Sequence, residues 1–197
     1  LYTETCQLVV RADSDIQTLD DLSGHTVSIG AKESGTERNA TQILEFAGMP
    51  SSLVATKNLD YIEATKELKA GDIDALFCTA GLTTTVIDEI SKECDIRLIP
   101  LTDTVISKML ESSSAYTSEV IPAGTYTGQA ADISTIGVKS VLITKANVSE
   151  DTIEQLTSLL FEKEKELSYS NSLKLELTYD CNRRYTYSIS QWSEKIL

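Results

Sequence analysis

The sequence predicts an α/β fold built on a mainly parallel sheet, because segments that suit strands are repeatedly followed by segments with helical spacing. Residues 26–29 alternate polar and apolar side chains, and apolar residues then recur at helical spacing from Ala40 to Ala47. The same succession returns at 72–77 and 86–90. Ligands of such sheets collect at the carboxyl ends of the strands, so the turns that follow 26–29 and 72–77 are the first places to search for a site.

The remaining elements follow from the same reasoning. Asp60, with Glu63 three residues later, predicts a helix start, and Gly71 predicts its end. The composition of 116–129, with one Pro and two Gly in its second half, favours a shaped loop. The other predicted elements are strands at 6–10, 95–101 and 136–143, a helix capped by Thr102 and a helix opened by Ser149. The tail at 167–197 is interpreted as a helix end, an extended piece and a short helix, and we expect its Arg183 and Arg184 to be solvated.

Two interpretations fit the turn that enters the first helix. Ser34 and Glu37 have the spacing of a capping box, in which both side chains satisfy backbone donors. The first free amides of the helix, near Ser34 to Glu37, could instead hold a carboxylate or phosphate without a basic side chain. Spacing alone favours the capping box, but the two are compatible, because a hydroxyl can accept from an amide while donating to a ligand.

Composition narrows the function classes. The 197 residues suffice for one large domain or two small ones, and the net charge of −13 makes nucleic acid an unexpected partner. No apolar run approaches the roughly 20 residues of a membrane span. The chain starts at Leu1 without a charged and apolar leader, so we expect a signal or anchor to have been removed or left out.

Metal binding and catalysis have little support in the sequence. The cysteines, Cys6, Cys78, Cys94 and Cys181, show no Cys-x-x-Cys spacing, and their redox state stays open. His25 is the only histidine, and we expect it to be exposed. Nucleophile-elbow and P-loop motifs are absent as well. We therefore predict neither an enzyme nor a bound metal or cofactor, and we expect Cys6 and Cys78 to be buried small hydrophobes.

Short motifs in one register over residues 1 to 166 carry a family resemblance. They are Leu-Tyr at 1–2, Leu-Val-Val-Arg at 8–11, Leu-Ser-Gly at 22–24, Ile-Gly-Ala at 29–31, Ser-Gly-Thr-Glu at 34–37, Asn-Ala at 39–40, Gly-Asp-Ile-Asp-Ala at 71–75, Ile-Pro-Ala-Gly-Thr-Tyr at 121–126 and Gly-Gln at 128–129. Together they resemble the TAXI family, the solute receptors of TRAP transporters.

The resemblance implies a type II periplasmic-binding-protein fold, with two α/β lobes joined by hinge strands at 6–11 and 136–144. Residues 12–134 would form lobe II, and residues 1–11 and 135–197 would form part of lobe I. Family members carry roughly a hundred further residues before the point that matches Leu1, a length typical of one lobe. We therefore expect a fragment, a processed form or an incompletely delimited chain, and weak or absent ligand binding by residues 1–197 alone.

The resemblance also implies the ligand-binding residues. Ser34, Gly35, Thr36 and Asn39 would form a carboxylate subsite, in which Gly35 allows backbone approach and the hydroxyls bind the ligand. Asn39 would orient the turn or reach the ligand.

Two further groups of residues would complete the site. Thr79 and Gly81 would face the same cleft, unless Gly81 only permits a tight turn and Thr79 only caps a helix. Thr125, Tyr126 and Gln129 would offer a hydroxyl, an aromatic wall and an amide. The alternative for Tyr126 is that it packs the loop onto its own lobe.

Function on this interpretation is capture of a small organic anion, such as glutamate or a dicarboxylate, by closure of two lobes. The partners would be the subunits of a membrane transporter, the location extracytoplasmic (periplasmic or anchored at the cell surface), and the complete protein a monomer. An effector-binding domain of a transcription regulator is the first alternative, although no helix-turn-helix is visible. An α/β enzyme is the second.

Overall fold

The computed structural model describes residues 1–145, 147–171 and 177. In this part of the chain seven strands form one open sheet with helices on both faces, which confirms the predicted α/β class. The strands are β1 Thr3–Arg11, β2 Thr26–Ser28, β3 Ala55–Lys57, β4 Ala75–Ala80, β5 Ile96–Ile99, β6 Tyr116–Ile121 and β7 Ile133–Lys139. The helices are α1 Gly35–Phe46, α2 Tyr61–Ala70, α3 Thr85–Glu93, α4 Asp103–Ser112, α5 Glu150–Glu162 and α6 Glu164–Asn171, and a single 3-10 turn covers Asp20–Leu22.

The sheet runs in the order β3-β2-β4-β1-β7-β6, and β5 pairs with β1 beside β7. Strands β2, β3 and β4 are parallel, as short strands connected by helices predict. Strand β1 is antiparallel to β4, β5 and β7, and β6 is antiparallel to β7. The prediction of a mainly parallel sheet is therefore wrong for the described residues: four of the six strand pairings are antiparallel, because β1 and β7 run against their neighbours. The first residues of β1 lie at the edge where β2 and β4 end, because Thr5 pairs with Ala80.

Each face of the sheet has its own apolar core. On β1, Leu8 and Val10 point into one core with residues of α1 and α4, whereas Val9 points into the other with residues of α2 and α3. The period-2 alternation of a strand explains this division. A strand buried on both faces reads as a continuous apolar run, as residues 8–10 do.

Local signals place several helix ends correctly. The Asp60 side chain accepts a hydrogen bond from Glu63 N at 2.9 Å, and α2 ends at Gly71 with a φ of 82°. Thr102 caps α4 by accepting from Val105 N at 3.3 Å. These residues satisfy donors that would otherwise lie unpaired at a helix start, or adopt the left-handed conformation that ends a helix.

Two predictions about strands are wrong, and one strand was missed. Residues 116–121, predicted as loop, form β6, because their pairing with β7 overrides a local composition that suits no regular element. The last strand is β7 and ends at Lys139, so 140–143 are not strand. Strand β3 was not predicted, because its three residues are too few for a periodic pattern.

Beyond β7 the described chain is poorly packed. Val141, Leu142 and Ile143 are exposed by 52%, 50% and 74%, and α5 buries none of its residues. Among the described residues, no helix is long and apolar enough to cross a bilayer. Most of the predicted tail elements, together with Arg183, Arg184 and Cys181, lie outside the described residues.

Candidate functional site

The turn between β2 and α1 lies at the carboxyl edge of the sheet and is held closely against the helix. Gly30 has a φ of 93°, and a Cβ there would meet the Cβ and Cγ2 of Thr36 at 2.8 Å. The Asn58 side chain donates to Gly30 O at 3.0 Å and to Glu37 Oε1 at 2.8 Å. Only glycine fits such a backbone at this distance, so the tight approach of turn and helix depends on Gly30.

The predicted capping box is half formed. Ser34 Oγ accepts a hydrogen bond from Glu37 N at 3.1 Å, as the pattern predicts. The Glu37 carboxylate, however, accepts from Glu33 N instead of Ser34 N, because Glu33 adopts a left-handed backbone with a φ of 65° and turns its amide toward the helix. The first amides of α1 have no partner within the helix, and the position of a Gly35 Cβ is open space.

A hydrogen-bonded cluster joins α1 to β4 through Tyr61, the first residue of α2. Tyr61 Oη lies 2.6 Å from Thr36 Oγ1, donates to Thr79 O at 3.0 Å, and accepts from Thr79 N at 3.2 Å. Because the phenol has one proton and gives it to Thr79 O, the Thr36 hydroxyl is the donor to Tyr61. Sequence reasoning missed Tyr61, because β3, the strand before it, was not predicted and no local pattern placed this residue at the edge of the sheet.

Asn39 extends the same cluster toward β6. Its Nδ2 donates to Thr79 Oγ1 at 3.4 Å, and its Oδ1 accepts from Tyr116 Oη at 2.9 Å. Tyr116 Oη also lies 2.9 Å from Gln42 Oε1. Thr36, Asn39 and Thr79 are each less than one tenth exposed, so this polar cluster is a buried one. The structure thus brings together the predicted residues of α1 and Thr79, with Gly81 just beyond the end of β4.

The loop that carries Thr125, Tyr126 and Gln129 lies on the opposite face of the sheet. Gln129 Nε2 donates to the carbonyls of Ile121, Pro122 and Ala131, and Thr125 Oγ1 donates to Pro122 O at 2.6 Å. Tyr126 is 3% exposed and packs with the residues of α2 and α3. The described contacts of these three side chains therefore fix the loop to itself and to the sheet.

Burial keeps the hydroxyls and thiols of this region neutral. It raises the pKa of Tyr61 and of Tyr126 to about 12, and the pKa of Cys6 and of Cys78 to about 12. Both thiols are buried, as predicted. The cluster therefore offers neutral hydrogen-bond donors and acceptors, an arrangement suited to holding a polar group, and its thiols are too weakly acidic to act as nucleophiles at neutral pH.

His25 lies at the start of β2, at the other end of the strand from this cluster. Its Nδ1 is 3.3 Å from Asp74 Oδ2 and its Nε2 is 3.7 Å from Asp15 Oδ1. The side chain is 26% exposed, so the prediction that it is exposed is wrong. The neighbouring Asp74 also accepts from Thr26 N at 2.8 Å, which draws the segment inward. Among the described residues, no group of His, Cys, Asp and Glu is arranged to hold a metal ion.

Comparison with known proteins agrees with this architecture. The sequence matches the NMT1-like family over residues 1–181. Among solved structures, the periplasmic aliphatic sulphonate binding protein SsuA from Escherichia coli is 16% identical, with a TM-score of 0.53 over 85% of this chain and 46% of that one. SsuA from Xanthomonas axonopodis pv. citri is 14% identical, with a TM-score of 0.50 over 87% and 50%. ArgBP from T. maritima is 18% identical, with a TM-score of 0.46 over 86% and 56%.

The chain therefore spans about half the length of the solved proteins it matches. At these identities the likeness to the two SsuA proteins shows the fold, which is that of periplasmic substrate-binding proteins. Because the family match covers more than nine tenths of the sequence, the chain belongs to the NMT1-like family.

Proposed function

We propose that this chain is part of an extracytoplasmic solute-binding protein that captures a small organic anion and delivers it to a membrane transporter. The observation that carries the proposal is the buried, uncharged hydrogen-bonding cluster of Thr36, Tyr61, Asn39 and Thr79 beneath the start of α1. Family membership and the fold of periplasmic substrate-binding proteins support the same class of function.

The start of α1 supplies the attraction for an anion. Its first amides point toward the turn, and the helix dipole places partial positive charge there. Open space at Gly35 lets a ligand oxygen approach the backbone, and the Ser34 hydroxyl, which accepts from Glu37 N, keeps its proton for the ligand. Thr36 holds this end of the helix in place by donating to Tyr61. Short-range donors of this kind outweigh the diffuse field of a net charge of −13, which salt screens over about 8–10 Å.

The two-lobe arrangement is a further part of the proposal. Residues 12–134 would be lobe II, and residues 1–11 and 135–197 would belong to lobe I and its hinge. Strands β1 and β7 run together past the carboxyl edge, where the Leu1 amino group donates to Ser140 O at 2.7 Å and Ser140 N donates to Tyr2 O at 2.8 Å. The exposed apolar residues 141–143 and the unburied α5 lie beyond this point, as expected of a surface that another part of the receptor covers.

Ligand and transporter follow from the sequence resemblance to TAXI receptors. We infer an amino acid such as glutamate, or a dicarboxylate, and a TRAP transporter as the partner. A ligand that contacts both lobes favours the closed form, which the transporter would then recognise. Thr79 and Gly81 would contribute the adjacent wall of the cleft, because Thr79 lies at the end of β4, the strand next to β2, and Gly81 follows it.

The test is ¹⁵N NMR on the 197-residue chain titrated with millimolar L-glutamate, succinate and taurine, since weak binding is measurable this way. We expect the amide resonances of Gly35 and Thr36 to shift with at least one of these anions. The variants Ser34→Ala and Thr36→Ala should abolish the shift, because the first removes a hydroxyl donor beside the helix start and the second removes the bond to Tyr61 that holds this end of the helix in place.

The matched control is Ser149→Ala. Ser149 caps α5 in the same way that Ser34 caps α1, accepting from Thr152 N at 3.2 Å, but lies outside the candidate site. It should leave the titration unchanged. Wild-type resonances that do not move with any of the anions, or shifts that persist in Ser34→Ala and Thr36→Ala, would refute the proposed site.

A further inference from the structure

One edge of strand β5 has no strand beside it among the described residues. Its other edge pairs with β1, and in an antiparallel ladder only every second residue directs its backbone N–H and C=O toward the partner strand. The hydrogen bond from Ala12 N to Asp95 O, at 2.9 Å, shows which residues these are, because it continues the register of this pair. The backbone groups of Ile96 and Leu98 therefore point away from β1, toward the free edge.

The free edge lies at the bottom of a cavity of about 360 Å³. Ile96 and Leu98 line this cavity together with the loop residues 126–131. The two edge residues are only 8% and 4% exposed, and no hydrogen bond in the described structure joins the loop to their backbone groups. Buried backbone donors and acceptors are nearly always paired in proteins, which makes this edge a candidate for pairing with a further strand.

A strand added at this edge would have two different sides. The side chains of Ile96 and Leu98 point into the core shared with α2 and α3, and Tyr126 and Ile133 continue that apolar side along the cavity. Arg97 also lines the cavity but lies on the opposite side of β5, because side chains alternate along a strand. One side of the cavity is therefore apolar, and the other carries a positive charge.

The positive charge of Arg97 is not balanced within the described structure. Its guanidinium donates to Ile16 O at 3.4 Å, to Ser14 O at 3.1 Å and to Ala12 O, which are all neutral carbonyl groups. No ion pair among the described residues includes Arg97. A guanidinium carries more N–H groups than these bonds use, so donors remain for a carboxylate that enters the cavity.

We propose that the free edge of β5 binds an extended peptide segment of a partner protein, in which an acidic residue lies between apolar ones. The main chain of the segment would pair with Ile96 and Leu98, as in other complexes where a peptide adds a strand to a sheet. Its apolar side chains would contact Tyr126 and Ile133, and its carboxylate would lie beside Arg97, because directly opposed residues of neighbouring strands share a face. The inference goes beyond the proposed solute-binding function and does not rest on it.

A second copy of this chain is a poorer occupant of the edge. Pairing between two copies of β5 would need both edges to protrude, whereas Leu98 is 4% exposed at the bottom of the cavity. A single extended segment lies within about 5 Å of the strand that it pairs with and is narrow enough to enter.

The direct test is ¹⁵N NMR on the 197-residue chain titrated with the peptide acetyl-Thr-Val-Glu-Val-Thr-amide. We expect the backbone amide resonances of Ile96 and Leu98 to shift, and their hydrogen exchange to slow about 10-fold or more at saturation, because each gains a hydrogen bond. The same peptide N-methylated at its central residues should not bind, since its main chain cannot pair. Equal binding of the methylated peptide would show that the cavity takes side chains alone, and would overturn the proposal.

Charge selectivity tests the role of Arg97. The peptide acetyl-Thr-Val-Lys-Val-Thr-amide should bind about 10-fold more weakly than the glutamate peptide, through the loss of a charge-assisted hydrogen bond. In Arg97→Gln this preference should disappear. Each comparison is made within one protein, so a general effect of the substitution on folding does not change the ratio of the two affinities. A preference that persists in Arg97→Gln would refute the acidic partner.

A matched pair of variants tests the location. Ala131 and Ala123 are both exposed in the loop between β6 and β7, but of the two only Ala131 lines the cavity. Ala131→Trp should abolish binding of the glutamate peptide, because the indole fills the entrance, whereas Ala123→Trp should leave it unchanged. Equal binding by both variants would place the peptide elsewhere.

Two further outcomes would also contradict the proposal. If the Ile96 and Leu98 resonances of the free protein move on dilution, the occupant of the edge is a second copy of this chain. If they do not respond to the glutamate peptide, the edge binds no such segment. Neither result affects the proposed solute-binding function, which is tested at Gly35 and Thr36.

Discussion

Helices α1 and α5 have the same amphipathic design and opposite burial. In α1 the apolar residues Ala40, Ile43 and Leu44 are buried against β4 and α4. In α5 the corresponding residues lie on the surface, with Leu156 exposed by 37% and Leu159 by 52%. An amphipathic pattern therefore indicates which face a helix can bury, but that face is buried only where another helix or strand packs against it.

The contrast extends to the regions around these helices. Residues 3–139 contain both apolar cores and every strand of the described structure, whereas none of the side chains described at 140–145 and 147–167 is buried in either core. Stability should therefore reside in the first region, because burial of apolar surface is the main favourable contribution to folding. In order of expected effect, the first and last of the following experiments compare the two regions, and the two between them test the packed region alone.

Removing a large side chain should affect the two regions very differently. Phe77 is 1% exposed, so Phe77→Ala should lower the free energy of unfolding by about 3–5 kcal/mol through lost burial and an added cavity. Leu159→Ala should change it by no more than about 0.5 kcal/mol. Urea titrations followed by circular dichroism measure both. Similar losses for the two variants would show that α5 shares the main core.

Two glycines at the candidate site should respond in opposite directions. In Gly30→Ala, alanine would have to adopt the left-handed backbone of Gly30, and its Cβ would lie 2.8 Å from Thr36. The substitution should therefore lower the free energy of unfolding by about 2–4 kcal/mol. Gly35→Ala meets open space at the first turn of α1 and should be neutral or stabilise by up to about 1 kcal/mol. Thermal unfolding of both variants provides the comparison. An unaffected Gly30→Ala would mean that the turn can move away from Thr36.

High pH should destabilise the packed region. Burial raises the pKa of Tyr61 from 10.0 to about 12, so the unfolded chain loses this proton first as the pH rises. The contribution of neutral Tyr61 is therefore complete below pH 10 and is lost between pH 10 and about 12. Tyr126, Cys6 and Cys78 shift in the same direction. Urea unfolding across this range should show falling stability, and a Tyr61→Phe variant with an unchanged slope would contradict the assignment.

Loss of a helix cap should lower the free energy of unfolding of the whole protein only where the helix is packed against the core. Asp60→Ala removes the bond to Glu63 N in α2 and should reduce the unfolding free energy by about 1 kcal/mol. Ser149→Ala removes the equivalent bond in α5, where fraying costs no core contacts, and should change it by only a few tenths, about 0.3 kcal/mol. Hydrogen exchange of α5 amides should nevertheless increase in Ser149→Ala. A global loss equal to that of Asp60→Ala would place α5 in the cooperative unit.

Several elements could be predicted because their signals are local. The cap at Asp60, the stop at Gly71 and the strand-turn-helix order around Ser34 depend on residues within one or two turns of each other. Strand β6 could not be predicted, since its reason for being a strand is β7, more than ten residues further on. The same limit applies to the site, where Tyr61 meets Thr36 and Thr79 although they lie 25 and 18 positions away along the chain.

The sequence by itself determined the α/β class, the polar turn at the end of β2 and the residues that line it, because strand and helix periodicity and capping chemistry are properties of neighbouring residues. The tertiary structure alone decided that Thr36, Asn39 and Thr79 form one hydrogen-bonded cluster, and that Tyr126 and Gln7 meet on the opposite face of the sheet. The physical reason is distance along the chain. A hydrogen bond between residues 119 positions apart, such as Tyr126 to Gln7, depends on strand order and on which face each strand turns to the core.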